Sequence, residues 1–431
     1  MNKINSVPIK PGFSRGGVSA HISLAVCTLL FTINFMDRSV LSVVLEPMKK
    51  DLGLSDTQAG LLQTAFFISL ALLSTPVAYL VDRWSRKKAI GIMALLWSGF
   101  TFLTGIGRSF LHVATARVAV SVGEAGFSSG SIALITASYP KELRGRIIGI
   151  FNLGLPIGSA LGVIIGGYLS ANFGGWRTPF YIFAIPGVLF GLTAFFLKDY
   201  KTETNSGSTI KHNGFLKSAR SLFAIPSLRW TYFGYAMLNA SFTTLFAWFP
   251  ALIIRISGVA EDKAGSLMAL VLIGTAIGTI SGGFLVDGWQ RRNNQARMQL
   301  PAIATLIAAL TMIAALYLFT LKMMVLTFVL MIFLGAICCL GIPALQSVTQ
   351  DVVSPNLKGM SFGLLMFMMY FGGGWSPVVV GMISDYLGGD SQGLLIGFAS
   401  ICISTLALSS ICFYRGSRYY PQDVLAAENN L

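Results

Sequence analysis

Twelve apolar stretches, each long enough to cross a lipid bilayer, constrain the fold of this chain more than any other feature. They emerge when the sequence is read with a window of about 19 residues. Charged residues make up only 11% of the 431 residues, whereas a soluble domain carries about 25%. Segments of about ten residues with alternating polarity, which are typical of membrane β-barrels, are absent. The sequence therefore predicts an all-α integral membrane protein. The twelve predicted transmembrane helices lie at residues 20–45, 57–81, 89–107, 110–138, 146–170, 178–197, 228–254, 264–287, 299–319, 323–350, 359–385 and 391–414.

The longest polar interval, residues 198–227, divides the twelve spans into two sets of six. It is rich in Lys, Ser, Thr and Gly, as a linker between domains would be. We therefore predict an N-terminal six-helix bundle over 1–197, a cytoplasmic linker over 198–227, a C-terminal six-helix bundle over 228–414 and a cytoplasmic tail over 415–431. The polar N-terminus lacks the apolar core of a signal peptide, so we expect the first span to be retained.

The formal net charge of +14 is distributed unevenly. If both termini face the cytoplasm, most of the 31 Lys and Arg residues lie in cytoplasmic segments, and few lie in the outer loops. This asymmetry is the positive-inside bias that sets the orientation of membrane proteins. It predicts a multi-pass protein of the inner (plasma) membrane with both termini in the cytoplasm. The bias accounts for the basic charge, so we expect the lipid bilayer as its surroundings and no nucleic acid as a partner.

The two halves share a repeated turn. AYLVDRWSRKK (78–88) follows the second span, and GFLVDGWQRR (283–292) follows the eighth. Each copy has an aliphatic residue, then Asp82 or Asp287, then a basic cluster. A repeat at matching places indicates an internal duplication of the kind found in transporters.

This arrangement resembles the major facilitator superfamily, whose loop after the second helix reads Gly-x-Leu-x-Asp-Arg-x-Gly-Arg-Lys/Arg. Ala78 and Ser85 stand in place of its two glycines, so the first copy departs from the pattern. In the family this loop is a cytoplasmic gate; the simpler alternative is that its basic residues only enforce topology. The resemblance implies gate roles for Asp82, Arg83 and Arg86 in the first copy, beside Lys87, and for Asp287 and Arg291 in the second.

Glycines recur at every fourth position in the fifth and eighth spans. This spacing aligns them in one groove where helix backbones can approach closely. By the resemblance we expect these two grooves at the interface between the halves; the alternative is tight packing within one half. The two rows are Gly154, Gly158, Gly162 and Gly166, and Gly274, Gly278 and Gly282.

Four ionisable residues lie deep within predicted spans: Asp37 and Arg38 in the first, Arg117 and Glu124 in the fourth. Each costs at least about 2.5–3.5 kcal/mol at a helix centre on insertion scales, so they must face one another or a wet cavity. Arg117 and Glu124, seven residues apart, return to one helix face. We predict a proton-coupling cluster of Asp37, Glu124 and Arg117, in which Arg117 pairs with an acid in one state and releases it in another. The alternative is a static pair that joins the two helices, although buried ion pairs often contribute little net stability.

At these residues the resemblance becomes narrower. NFMDRSVLSVVL (34–45) is similar to the first span of spinster-like transporters and of organic-anion/proton symporters. The segment that continues through Gly-Glu-Ala (123–125) to PIGSALG (156–162) favours the spinster-like branch. The resemblance implies that Asp37 and Glu124 are protonation sites, that Arg117 is their partner, and that Arg38 binds an anionic head group or braces the helix. We expect Glu46, near the end of the first span, to lie at the membrane interface.

The second half offers few polar groups to a central cavity. We predict substrate contacts from Asn239, Thr243, Gln346, Met369 and Tyr370, in addition to Arg38 and Arg117. A charged first half opposite a Met- and aromatic-rich second half suits an amphiphile with an anionic or zwitterionic head. Spinster-like relatives move lysophospholipids or sphingoid phosphates, which fits this asymmetry. Met and Phe in a membrane helix can equally face lipid or neighbouring helices. Glycines 372–374 beside Pro377 predict a bend in the eleventh span.

Other functions are less well supported by the sequence. The three histidines are far apart, no nucleotide-binding GxxxxGK[ST] loop occurs, and the five cysteines show no metal-binding spacing. We expect no enzymatic activity, no disulfide, no metal and no cofactor, with the proton as coupling ion and a monomeric chain. The predicted function is proton-coupled transport of an amphiphile by alternating access. The alternatives are a proton symporter of small organic anions and, less favoured, a non-transporting membrane sensor.

Overall fold

The computed structural model describes residues 17–140, 143–199, 215–354 and 357–429, with the side chains of Thr75, Ala78, Tyr79, Asp82, Arg83, 215–217 and Asn429 left out. In residues 17–199 it has eight α-helices: α1 (Val18–Leu52), α2 (Asp56–Arg83), α3 (Arg86–Gly105), α4 (Phe110–Glu124), α5 (Phe127–Ala137), α6 (Arg144–Asn152), α7 (Gly154–Asn172) and α8 (Thr178–Ala194). We call this part the first half.

The second half, residues 215–429, has nine more helices within its described residues: α9 (Phe215–Ala224), α10 (Pro226–Ser257), α11 (Glu261–Gln290), α12 (Ala296–Thr320), α13 (Met324–Leu340), α14 (Ile342–Asp351), α15 (Lys358–Gly373), α16 (Ser376–Tyr386) and α17 (Ser391–Asn429). In the described part of the chain, eleven helical segments are long and apolar enough to span a membrane, and α8 is a shorter apolar helix. These twelve segments coincide with the twelve predicted spans. Four spans consist of two consecutive helices each: α4–α5, α6–α7, α13–α14 and α15–α16.

Local sequence explains where several helices end. The residue that follows α1, Gly53, adopts the left-handed conformation with φ 63°. Helices commonly end at such a residue, which is usually glycine because a Cβ disfavours this conformation. α2 begins with a capping box in which Ser55 and Gln58 satisfy each other's backbone N–H groups. The eleventh span is interrupted between Gly373 and Ser376, as the glycines beside Pro377 predict. The predicted tail continues α17 as far as Asn429, and the described part of the predicted linker contains α9.

We call the membrane side on which α1 starts the near side and the side on which it ends the far side. One buried apolar cluster contains residues of both halves on the far side, such as Val43 and Met48 of α1 with Leu252 of α10 and Met268 of α11. A second cluster, around Leu30 and Trp97, belongs to the first half. The apolar cores of the two halves are therefore continuous on the far side.

The glycine rows do not lie where the resemblance predicts. A Cβ at Gly158 would come 2.2 Å from the Thr32 carbonyl oxygen of α1, and one at Gly278 would come 1.9 Å from that of Ala336 in α13. Each row therefore packs within its own half, because only a residue without a Cβ permits that backbone approach. Between α7 and α11, which belong to different halves, the close contact is made instead by Gly167 and Gly265.

Candidate functional site

The four intramembrane charges come together between α1, α3 and α4. Arg38 donates from Nε to Glu124 Oε2 at 2.6 Å, and the Glu124 side chain is fully buried. Asn34, one helical turn before Arg38, lies beside the same carboxylate. α4 ends at Glu124, so this ion pair joins the middle of α1 to the end of a helix.

Asp37 faces a different neighbour. Its carboxylate accepts a hydrogen bond of 2.9 Å from Thr101 Oγ1 of α3, while its second oxygen has no hydrogen-bond partner among the described residues. Successive residues of an α-helix point about 100° apart, which explains why adjacent Asp37 and Arg38 reach α3 and α4 respectively. The cluster therefore holds two carboxylates in separate environments.

Arg117 is fully buried, and its three guanidinium nitrogens have no hydrogen-bond partner within the described part of the chain. The guanidinium carbon lies 4.9 Å from the ring centre of Phe66, and it interacts at a distance with Glu124 and Asp37. The structure thus brings Arg38 rather than Arg117 into direct contact with Glu124. The five N–H donors of Arg117 are therefore available to an anion. A bound anion would offset the high free-energy cost of burying a guanidinium without an acceptor.

The predicted substrate contacts of the second half divide into two groups. The Asn239 amide donates to the Met369 carbonyl at 2.7 Å, and Thr243 is hydrogen-bonded to the Gly373 carbonyl and to Ser376. These two residues hold α10 against α15 and α16. Tyr370 differs, because its ring stacks on Phe67 of the first half with ring centres 6.2 Å apart.

Tyr370 also interacts electrostatically with Arg38. It therefore links the charged cluster of the first half to α15 in the second. Met369 is half-buried, and Gln346 lies apart from the cluster, in a cleft between α14 and α15 toward the near side.

The predicted near-side gate is described only in part. The side chains of Asp82 and Arg83 lie outside the described residues. Arg86 is the first residue of α3 and has an interaction partner, whereas Asp287 and Arg291 are exposed. These positions keep their predicted role as a hypothesis.

A network of charges that the sequence analysis did not identify closes the far side. Arg255 at the end of α10 donates to Asp56 Oδ2 at 2.8 Å and to Asp56 Oδ1 at 2.5 Å, and Arg255 Nε donates to Glu46 at 2.8 Å. Lys49 lies 2.5 Å from Asp56, and Ser384 donates to the same carboxylate at 2.6 Å. Glu46 is only 5% exposed and ion-paired, so near the far-side end of α1 it faces the protein interior; its depth at the membrane interface stays a prediction.

Asp385 adds a cap across the boundary between the halves. Its two oxygens accept hydrogen bonds from the backbone N–H groups of Asp56 at 2.9 Å and Thr57 at 2.8 Å. These are the first residues of α2, where N–H groups lack partners within the helix, and a carboxylate is favourable there. The hydrogen bonds that join α2 to α10 and α16 lie toward the far side, the deepest of them between Thr64 and the Val378 N–H.

The far-side network joins the two halves, and the buried charge cluster lies in the first half with Tyr370 of the second half beside it. Buried charges at the centre of a polytopic helical membrane protein are typical of a transport pathway. The family model of the Major Facilitator Superfamily matches residues 27–377, and the chain belongs to that superfamily. It is therefore a secondary transporter of this superfamily, in agreement with the expectation that it is not an enzyme.

Known transporters with different substrates are similar to this chain over nearly its whole length. The MFS-type efflux pump of Mycolicibacterium smegmatis is 25% identical, covering 95% of this chain and 96% of its own. The hexuronate transporter of Bacillus subtilis is also 25% identical, covering 89% and 93%. A crystal structure of a bacterial homologue of the human lysosomal transporter spinster, inward-facing and unoccupied, superposes with a TM-score of 0.78 at 23% identity, covering 96% and 98%. The resemblance to the spinster-like branch is confirmed, and this superposition shows the two-bundle fold.

Proposed function

We propose that this protein couples proton movement to the transport of an amphiphile with an anionic or zwitterionic head group, such as a lysophospholipid or a sphingoid phosphate. The observation that carries the proposal is the buried cluster in which Arg38 pairs with Glu124 while Arg117 has no acceptor among the described residues. Such a cluster is costly inside a membrane and usually marks a substrate or proton pathway.

The ion pair of Arg38 and Glu124 supplies a coupling step. Proton binding to Glu124 removes the negative charge that holds Arg38, and the Arg38 guanidinium then becomes available to an anionic head group. Release of the proton from Glu124 to the solution regenerates the carboxylate, which pairs with Arg38 again and displaces the head group. Asp37, with one carboxylate oxygen unpartnered, is a second position for the proton.

The second half supports the amphiphilic character of the substrate. Its polar candidates Asn239 and Thr243 are occupied in holding α10 to α15 and α16, which leaves Met366, Met369 and Tyr370 as half-buried groups of α15. Flexible methionine side chains adapt to varied apolar shapes. A head group at the arginines and a tail against α15 would match both surfaces.

Movement between two open states requires the halves to separate on the far side. The contacts of Arg255 and Asp385 with α1 and α2 would break in that step, while the near-side ends approach each other. This is alternating access about the fixed central site.

A second candidate is a proton symporter of small organic anions. The specific observation in its favour is the pair of arginines at one site, since two guanidinium groups can hold two carboxylates. The similarity to the hexuronate transporter of Bacillus subtilis points the same way.

The deciding experiment measures substrate-driven pH change inside proteoliposomes that contain the purified protein, with lysophosphatidylglycerol and a hexuronate compared side by side. We expect a signal with the lipid alone. A signal with the hexuronate alone would replace the proposal by the second candidate. No pH change with a substrate that is nonetheless transported would disprove proton coupling.

A further inference from the structure

A cleft of about 630 Å³ lies between the near-side ends of α14 and α15, away from the charged cluster. Gln346, Ser347 and Gln350 line it from α14, and Lys358 and Phe362 line it from α15. The three α14 residues are spaced i, i+1 and i+4, so they share one helix face. Two helices thus present polar groups to one opening at the membrane boundary.

The chemistry of the cleft suits an anion. None of its lining residues is acidic, and Lys358 forms no ion pair within the described residues. The acid next to the cleft in sequence, Asp351, is already paired with Arg297 and accepts a hydrogen bond from Tyr420. Gln350 donates to the Lys358 carbonyl at 3.3 Å, which holds the two helix ends together. The ammonium group of Lys358 therefore remains available to a ligand.

From this cleft an open strip of α15 leads to the charged cluster. A Cβ added at Gly359 or at Gly363 would meet no atom within 4 Å. Met366 and Tyr370 continue the same helix face, since the four positions are spaced i, i+4, i+7 and i+11. The strip rises about 16 Å from Gly359 to Tyr370.

The opposite face of α15 is the packed one. Ser361 is hydrogen-bonded to Tyr232 of α10, and a Cβ at Gly372 would meet Ala236 of the same helix at 2.7 Å. The strip therefore faces away from α10, and at its upper end Tyr370 stacks on Phe67 of α2. There it also reaches Arg38.

We propose that the cleft between α14 and α15 is a second binding site, which takes the phosphate-bearing head group of a single-chain lipid on the near side. Lys358 binds the phosphate, and the lipid chain lies along the strip of Gly359, Gly363 and Met366. The head group then exchanges Lys358 for Arg38, about three turns of α15 further in. This inference rests on the proposed amphiphilic substrate and adds the path by which it reaches the central arginines.

The test compares two variants with a matched control in proteoliposomes, using lysophosphatidylglycerol as substrate. Lys358→Gln removes the charge and is expected to raise KM by about tenfold with the maximal rate unchanged, as for loss of one charge-assisted hydrogen bond. Gly363→Leu fills the strip and is expected to abolish lipid transport. Gly99→Leu on α3, where an added Cβ also meets no atom within 4 Å, is the control and is expected to transport normally.

Protection of a cysteine from a thiol reagent shows whether the lipid occupies the strip, independently of whether Gly363→Leu folds. A cysteine at position 363 in a Cys412→Ser background should react with a thiol reagent, and lysophosphatidylglycerol should slow that reaction. Normal lipid transport by Gly363→Leu together with an unprotected cysteine would overturn the path and leave the proposed function intact. A wild-type protein that transports no lysophospholipid would instead overturn both.

Discussion

Asp37 and Glu124 are both almost completely buried, yet they have different partners. Glu124 contacts the cation Arg38, whereas Asp37 contacts the neutral hydroxyl of Thr101. A carboxylate that exchanges a proton during transport must lose that capacity when its acid group is replaced by an amide. The amide oxygen still accepts the same hydrogen bond, so the local structure persists.

Glu124→Gln and Asp37→Asn are therefore expected to abolish proton-driven accumulation of substrate while leaving the protein folded. The measurement is substrate uptake under an imposed pH gradient, with exchange across liposomes at equal pH as the second readout. Loss of uptake with exchange retained identifies a coupling residue. Glu428→Gln, at an exposed position near the end of α17, is the control, and wild-type uptake by either amide variant would remove that acid from the mechanism.

Arg117 permits a test that separates transport from structural support. Because its guanidinium is buried without an acceptor in the described structure, Arg117→Met should raise the stability of the fold by about 1–3 kcal/mol, the cost of a buried polar group left without a partner. The same variant should no longer transport. Thermal unfolding and flux measured on one preparation decide the matter, and a variant that is less stable as well as inactive would indicate a structural role.

At the scale of helices, Asp385 and Arg255 of the second half both bind the first turn of α2 and together hold the far side closed. Gly60 and Gly381 allow α2 and α16 to approach backbone to backbone, since a Cβ at either position would lie 2.2 Å from a carbonyl oxygen of the other helix. The carboxylate of Asp385 then caps α2. Opening of the far side must break both of its hydrogen bonds at once.

Asp385→Asn is expected to shift the protein toward a state that is open on the far side. Each hydrogen bond with a charged partner contributes about 1.5–3 kcal/mol, so weakening this pair should change the equilibrium by at least about tenfold. A cysteine in place of Thr64, which is buried below the network, should then react faster with a thiol reagent added from the far side. Asp262→Asn, outside the network on α11, should leave the rate unaltered, and an equal rate in Asp385→Asn would exclude a closing role.

The sequence predicted the central charges but not this network, and the reason is physical. A charge in the middle of an apolar run has few explanations, so Asp37, Arg38, Arg117 and Glu124 are conspicuous without any structure. Asp56 and Arg255 lie at span ends, where charges are ordinary, and Asp56 meets Asp385 across 329 positions of sequence. Only the folded chain brings such residues together.

The glycine rows show the same limit at the level of helix packing. Their spacing predicted close backbone contact, which Gly158 and Gly278 make. The spacing carries no information on which helix lies opposite, because several neighbours could fill the same groove. Where the same two spans meet each other across the halves, the close contact is made by other glycines, Gly167 and Gly265.

For the whole molecule, charge asymmetry makes the orientation testable. Most Lys and Arg residues lie in near-side segments, and such segments remain in the cytoplasm. The halves are sealed on the far side, so this reasoning predicts a state closed toward the outside. Orientation therefore also decides which solution supplies the proton to Glu124 and which leaflet supplies a lipid to the cleft at Lys358.

Two single-cysteine variants in a Cys412→Ser background test this orientation, because the other four cysteines are buried. Ala171, exposed at the far-side end of α7, and Ser221, exposed on near-side α9, are the positions to replace. A membrane-impermeant maleimide applied to intact cells is expected to label Ala171→Cys and to reach Ser221→Cys only after permeabilisation. The reverse pattern would invert the protein in the membrane, place the closed network at the cytoplasmic surface, and move the proposed lipid cleft to the outer leaflet.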